Sequence, residues 1–331
     1  MQDAVVIMSP DRADQTPEAM ITVAGEALID MLVSDTGEIS AHPGGGPFNV
    51  ARAVARLGLS CQFLGRLSDD AFGLRLRAAL LDAGVTLVVP AGTPAPTTLA
   101  LAVLDADGVA DYRFYLEGTS AGQLALDDVR PGVLSSSRAI VLGGLGLLVE
   151  PMASTLAALL IAAAPATTVL LDPNCRPRAI SDLAAFRATV ESFLARADVV
   201  KVSVDDLRLL DPLADARSAA RRLLEHQPAA VLVTDGGGPV TVHTAGAERR
   251  VPVPRVDVAD TVGAGDAFVA GFLTWWCERG CDRTQAGEPD LLTEGVRVAV
   301  AVSAATCTTA GADLPDGFAW PPSAATDAPS A

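Results

Sequence analysis

Positive charge is scarce in this chain of 331 residues. Only 24 Lys and Arg stand against 40 Asp and Glu, a formal charge of −16, and they form no basic run. A nucleic-acid surface and an anionic membrane are thereby excluded as partners. Aromatic residues make up 4% of the chain, too few to suggest a stacking cradle for a nucleobase substrate. The five cysteines, at 61, 175, 277, 281 and 307, share no repeated spacing and are odd in number. Cys277 and Cys281 lie one helical turn apart, but no His or second Cys pair joins them, so buried thiols are expected rather than a metal site. With no signal-like start, a reducing cytoplasm is expected. No apolar run is long and uninterrupted enough to span a bilayer. There is no G-x-x-x-x-G-K-S/T phosphate loop. Gly144-Leu145-Gly146 lacks the third glycine and the ribose-binding acid of a dinucleotide fold.

What is present is a large apolar content, 50% of residues, in a strand–helix alternation that predicts one α/β domain over 21–320. Polar tails are expected at 1–20 and 321–331, both disordered. Strands are expected at 21–25, 63–67, 139–142, 168–171, 199–202 and 230–234, with two more at 240–243 and 249–253. Thr98–Leu104 and Tyr112–Leu116 alternate around Asp107-Gly108, a hairpin signal. That hairpin interrupts the alternation and predicts a small β appendage, with pieces within about 33–46 and 97–117.

The chain is organised around Asp260-Thr261-Val262-Gly263-Ala264-Gly265-Asp266. Small residues opening a helix gather backbone amides and the positive end of the dipole at one spot, which suits an anion. An acid in that first turn, Asp266, can accept a proton while the amides stabilise negative charge. The dipole is expected to hold Asp266 ionised at neutral pH. Taken singly, each feature is an ordinary helix start. Upstream, Gly44-Gly45-Gly46-Pro47-Phe48-Asn49 lets a ligand approach backbone and places an amide in a first helical turn. Asp30, just past the first strand, suits two sugar hydroxyls; alone it is equally a surface turn. Asp172-Pro173-Asn174-Cys175-Arg176 is a further site candidate at a strand's carboxyl end.

The 260–266 string resembles the D-T-x-G-A-G-D signature of the PfkB/ribokinase family of carbohydrate kinases, and 44–49 resembles its upstream glycine and Asn signature. Gly25-Glu26-Ala27-Leu28-Ile29-Asp30 and the Asp172 string are similar to fructokinase-like members. The resemblance implies a ribokinase-like three-layer α/β/α sandwich with a mostly parallel sheet and a small β lid. It implies an ATP-dependent kinase acting on a primary hydroxyl of a small sugar, fructose first, with Asp266 as base and Gly263, Ala264 and Gly265 as anion hole. Sugar contacts would come from Asp30, Gly44, Gly45, Gly46, Asn49, Arg113 and Arg176. Nucleotide contacts would come from Lys201, Ser203, Thr234, Gly236, Gly238, Gly263, Gly265 and Ser303. Asp206 would hold Mg2+ through water, and Asp260 a monovalent cation such as K+. A homodimer through the lid is a further implication. A 2-keto-3-deoxygluconate or nucleoside kinase of the same fold and a non-catalytic sugar-binding regulator are the alternatives. An acid sugar buried in the pocket would need a paired cation, for which Arg113 and Arg176 are the candidates.

Overall fold

The computed structural model describes residues 20–34, 36–104 and 110–320. The expected tails therefore lie outside the described residues, except that Met20 already begins the first strand. The Asp107-Gly108 turn lies outside them as well.

The elements follow in chain order. β1 is Met20–Ala24, β2 Leu28–Val33, β3 Ile39–Gly44, α1 Gly46–Arg56, β4 Cys61–Leu64, α2 Ala71–Asp82 and β5 Thr86–Leu87. β6 is Leu99–Leu104, β7 Ala110–Tyr115, β8 Ser137–Gly143, α3 Met152–Ile161, β9 Thr168–Asp172, α4 Leu183–Leu194 and β10 Val199–Ser203. α5 is Val204–Leu210, α6 Ala216–Leu224, β11 Ala230–Asp235, β12 Gly238–Thr244, β13 Glu248–Val251, α7 Ala264–Glu278 and α8 Pro289–Thr306. Helix starts follow local chemistry: Asp70, Asp182 and Asp215 each accept an amide of the first turn of α2, α4 and α6.

Nine strands form one sheet in the order β13-β12-β11-β10-β9-β8-β1-β4-β5. Pairing is parallel from β11 to β5 and antiparallel only where β12 and β13 close one edge. The strands are β-branched and apolar on both faces, as a sheet covered on both sides requires. Alternation sorts them: Val141 and Leu170 join a core under α1, α2, α7 and α8, with Phe48, Leu76, Phe272 and Trp276. Ile140, Leu142, Val169 and Leu171 join a second core under α3 to α6, with Leu156, Phe186 and Leu207. Each large side chain fully buried there contributes about 1.5–3 kcal/mol. Trp276, the largest fully buried side chain, donates its indole N–H to Thr168 Oγ1 at 3.1 Å, so its polar atom is satisfied.

β1 has β4 on one side and β8 on the other, so the chain reverses its direction of winding between β1 and β8. Open α/β sheets bind ligands at the carboxyl ends of the strands at such a switch point. A second sheet, β3-β2-β6-β7, rises from that end. It begins at Leu28, earlier than the expected boundary near 33, because the chain leaves the central sheet within three residues of Ala24. Asp30 therefore sits inside a strand of the small sheet rather than in a turn.

Candidate active site

The switch point opens into a cavity lined by Gly46, Gly143, Gly144, Asp172, Asn174 and Asp266, among others. Elements from both ends of the chain meet there. Asn49, in the first turn of α1, donates its Nδ2 to Asp266 Oδ2 at 2.8 Å. Its Oδ1 is buried without a partner, an acceptor waiting for a donor. Gly46 fits between the two polar groups, since a Cβ there would lie 2.8 Å from Asn174 Nδ2 and 3.3 Å from Asp266 Oδ1. Gly44 is required in the same way, because a Cβ would run into Asp30 Oδ2.

α7 starts at Gly263, whose φ of 75° is left-handed and whose missing Cβ leaves room for Ala312. The Ala264 amide donates to Thr261 O at 3.2 Å, so the turn itself uses it. Among the described residues the amides of Gly265 and Asp266 have no acceptor. Of the residues expected to form an anion hole, Gly263 and Gly265 keep amides without an acceptor among the described residues, while Ala264 uses its own for the turn and the Asp266 amide is free beside them. Ser303 of α8 donates to Ala264 O at 2.8 Å, which ties it to the turn rather than to open space.

The ionisation expected of Asp266 is also corrected. Burial pushes its carboxyl up to about 7, the Asn49 bond opposes this, and the nearby Asp172 carboxylate adds to it. The helix dipole does not outweigh removal from water. Asp30 is raised by burial to about 6, with the Arg176 and His42 charges working the other way.

Arg113 is not at this site. Pairing places His42, Asp30, Ala100 and Phe114 in one row across the small sheet, and Ala41, Met31, Leu101 and Arg113 in the next. Adjacent rows point to opposite faces. Leu28 and Ala100 pack on Leu145 of the central domain, so the Asp30 face looks inward and the exposed Arg113 looks away. Arg176 remains: its charge acts on Glu26, Asp30, Asp172 and Asp266 together.

Asp206 does not present a free carboxylate for a metal. Its Oδ1 accepts the Cys175 amide at 2.8 Å, and its Oδ2 accepts the Ser203 amide and hydroxyl, both at 2.7 Å. It caps α5 and clamps the loop after β9. Asp260 likewise accepts the amides of Val262 at 3.0 Å and Gly311 at 2.9 Å. Among the described residues no group of three or more His, Cys, Asp or Glu side chains could hold a metal ion.

The remaining nucleotide candidates run along the same carboxyl edge. Ser203 and Thr234 are register partners on β10 and β11, and Gly236 to Gly238 make the tight connection into β12. Lys201 lies inward of them, its Nζ 2.9 Å from Asp172 Oδ2. That contact and the buried Glu26, which accepts the Gly146 amide at 3.2 Å, are absent from the sequence reading. A charged residue inside Val199–Val202 was the signal for the first. Glu26 gave none beyond its place in a motif.

The model of the pfkB family of carbohydrate kinases matches residues 18–316. A fructokinase of Rhizobium leguminosarum bv. trifolii is 37% identical over 258 residues, which are 77% of this chain and 78% of that one. A fructokinase from Xylella fastidiosa with bound ATP superposes with a TM-score of 0.80 at 31% identity, covering 88% of this chain and 93% of that one. A double-mutant fructokinase from Vibrio cholerae O395, bound to fructose, ADP and a potassium ion, gives 0.78 at 26% identity, covering 90% and 95%.

Proposed function

The chain belongs to the pfkB family of carbohydrate kinases and is an ATP-dependent sugar kinase, and we propose that its substrate is fructose, phosphorylated at a primary hydroxyl. The observation that carries the reading is the pairing of an acid, Asp266, with unsatisfied amides at the start of α7, beside the unpartnered Asn49 Oδ1. Phosphoryl transfer is mostly positioning and electrostatics, and these groups supply both.

In this reading Asp30 and Asn49 hold the sugar over Gly44 to Gly46. The substrate oxygen bonds to the terminal phosphorus of ATP while its proton passes to the Asp266 carboxylate. The bond to the leaving oxygen breaks and its electron pair departs with ADP. The Gly265 and Asp266 amides bind the charge that spreads over the phosphoryl oxygens. Ser203, Thr234, Gly236 and Gly238 carry the rest of the nucleotide. A divalent cation, Mg2+ in this reading, would neutralise charge on the donor phosphates; both Asp206 oxygens already accept protein donors, so Asp206 would reach it only through water. Asp260 as a monovalent-cation ligand belongs to the same proposal.

The outward face of the small sheet exposes Ile39, Val103 and Tyr115, and a homodimer through that face is proposed with it. A cytoplasmic location is proposed too: all five cysteines are free, and among the described residues no helix is long and apolar enough to cross a membrane.

A second substrate, 2-keto-3-deoxygluconate, is favoured by one observation, the Arg176 charge beside Asp30. Four carboxyls share that charge, however, and Asp30 repels a carboxylate. Sugar-dependent ADP release with fructose, ribose, 2-keto-3-deoxygluconate and adenosine decides between them. Fructose should give the highest kcat/KM; a tenfold advantage for 2-keto-3-deoxygluconate would overturn the assignment.

A further inference from the structure

Two charged side chains lie beneath the anion-hole turn and take no part in the steps above. Alternation along β10 sends Val200 and Val202 to the core under α3 to α6, so Lys201 between them points to the α7 side. Leu171 also belongs to that core, and it is followed by Asp172. Leu170 and Leu171 pair with Val199 and Val200, which makes Asp172 and Lys201 the next neighbours in the same row. Both are buried, at 7% and 5% exposure, and their ion pair spans 2.9 Å.

The pair has two outer contacts. Asp172 Oδ1 accepts the Asn174 amide at 3.2 Å, across a turn in which Asn174 takes a left-handed φ of 42°. Such a conformation is unusual outside glycine and persists only where its surroundings hold it. On the other side, a Cβ on Gly265 would lie 3.1 Å from Lys201 Nζ, so the ammonium abuts the backbone of the anion hole. Of its three N–H donors, one has an acceptor among the described residues, Asp172.

We propose that Asp172 and Lys201 act as a positioning pair for the transfer step: Lys201 supports the Gly265–Asp266 turn from below, and Asp172 fixes Asn174 beside Gly46. This rests on the reading of Asp266 as base. A buried pair of opposite charge is a weak source of stability, because desolvation offsets attraction. Its placement at the turn, rather than a contribution to folding, is what the geometry explains.

The pair also sets the charge that Asp266 meets. The groups facing Asp266 are neutral Asn49 from α1, Asp172 from the end of β9, Arg176 from the loop after it, and Lys201 from β10. Asp206 of α5 acts on Asp172 and Lys201 in turn. Burial works against the Lys201 ammonium, but the Asp172, Asp206 and Asp266 carboxylates outweigh it and hold the group above its ordinary value. Burial and the Asp206 carboxylate draw Asp172 toward its neutral form, and the Lys201 ammonium, 2.9 Å away, and the Arg176 charge oppose them.

Asp172→Asn keeps an acceptor for the Asn174 amide and removes only the charge. The acid limb of kcat/KM should then move to lower pH by at least half a unit, since Asp266 keeps the ammonium and loses its carboxylate neighbour. Lys201→Met removes the support, and kcat per folded molecule should fall tenfold or more, with the fructose KM changed less than threefold. A residue that serves folding alone would lower the yield of folded enzyme and leave the limb and kcat in place. An unmoved limb in Asp172→Asn, or kcat within twofold of wild type in Lys201→Met, overturns the pair while Asp266 stands. A wild-type profile with no acid limb overturns both.

Discussion

Asn49 and Asp266 lie 217 positions apart in sequence and share a 2.8 Å hydrogen bond. One stands in the first turn of the helix after the glycine run, the other in the first turn of the helix after the anion-hole string. The bond orients the carboxylate and resists the rise in its pKa that burial causes.

Asp266→Asn should retain the fold and lose about 10²–10⁴-fold in kcat, the usual effect of removing a general base. The amide can still meet Asn49, so the thermal midpoint should stay near that of wild type. In wild type the base is active once deprotonated. With its carboxyl near 7, kcat/KM should rise through neutral pH with the slope of one proton and level off above it. Initial rates between pH 5.5 and 9 test this; a flat profile would remove Asp266 from the role.

Asp30→Ala and Asn49→Ala should raise the fructose KM far more than the ATP KM, because both stand on the side of the cavity away from the β10 and β11 edge. Asn49→Ala has a second consequence. Without its hydrogen bond the Asp266 carboxyl rises further, so the acid limb should move to higher pH. Steady-state kinetics with each substrate varied in turn separates the effects; a larger change in the ATP KM would reverse the assignment of the two sides.

Arg113→Ala should leave the ratio of kcat/KM for fructose and 2-keto-3-deoxygluconate within about twofold, since its row faces away from Asp30 and surface changes rarely matter. Arg176→Ala should change that ratio, because its charge reaches four carboxyls at the cavity. Competition between the two sugars reads both variants, and a change of preference in Arg113→Ala would contradict the register.

Glu26→Gln tests the buried acid at the foot of the small sheet. Burial raises its carboxyl from 4.5 to about 7, so the folded protein retains a proton that the unfolded chain releases. The stability this gives is complete below pH 4.5 and is lost as pH climbs to 7, by up to about 3 kcal/mol. Gln cannot lose a proton. The variant's thermal midpoint relative to wild type should therefore be higher at pH 8 than at pH 5; an unchanged difference would rule out the raised carboxyl.

The anion-hole string was legible because its residues are adjacent in sequence: glycines, a small residue and an acid specify a helix start whatever surrounds them. The apolar alternation of the parallel strands was legible for the same local reason. The place of Arg113 is hidden in sequence because a strand's face follows from its register with the neighbouring strand, here Leu101 on β6. The charge state of Asp266 is hidden in sequence, which displays the dipole of its own helix and not the walls supplied by α1 and β9. For Asp206, the bonds to Ser203 are local, a Ser-x-x-Asp helix start visible in sequence, while the Cys175 amide reaches it only because the loop after β9 folds onto α5. Lys201 stood in view as a charge within a strand of valines; only its partner on β9 explains it.

The bond between positions 49 and 266 has a consequence for how the protein is made. During translation the glycine run, α1 and the whole of β1 to β11 leave the ribosome before Asp266 does. Until then the parallel sheet lacks the helix that covers much of one face, and the cavity lacks its acid. Distant contacts of this kind slow folding, and they leave apolar surface open while the chain waits. A nascent chain halted before 266 therefore has its glycine run without the acid; with Asp266 as the proposed base, phosphoryl transfer begins only when α7 has been synthesised and has docked.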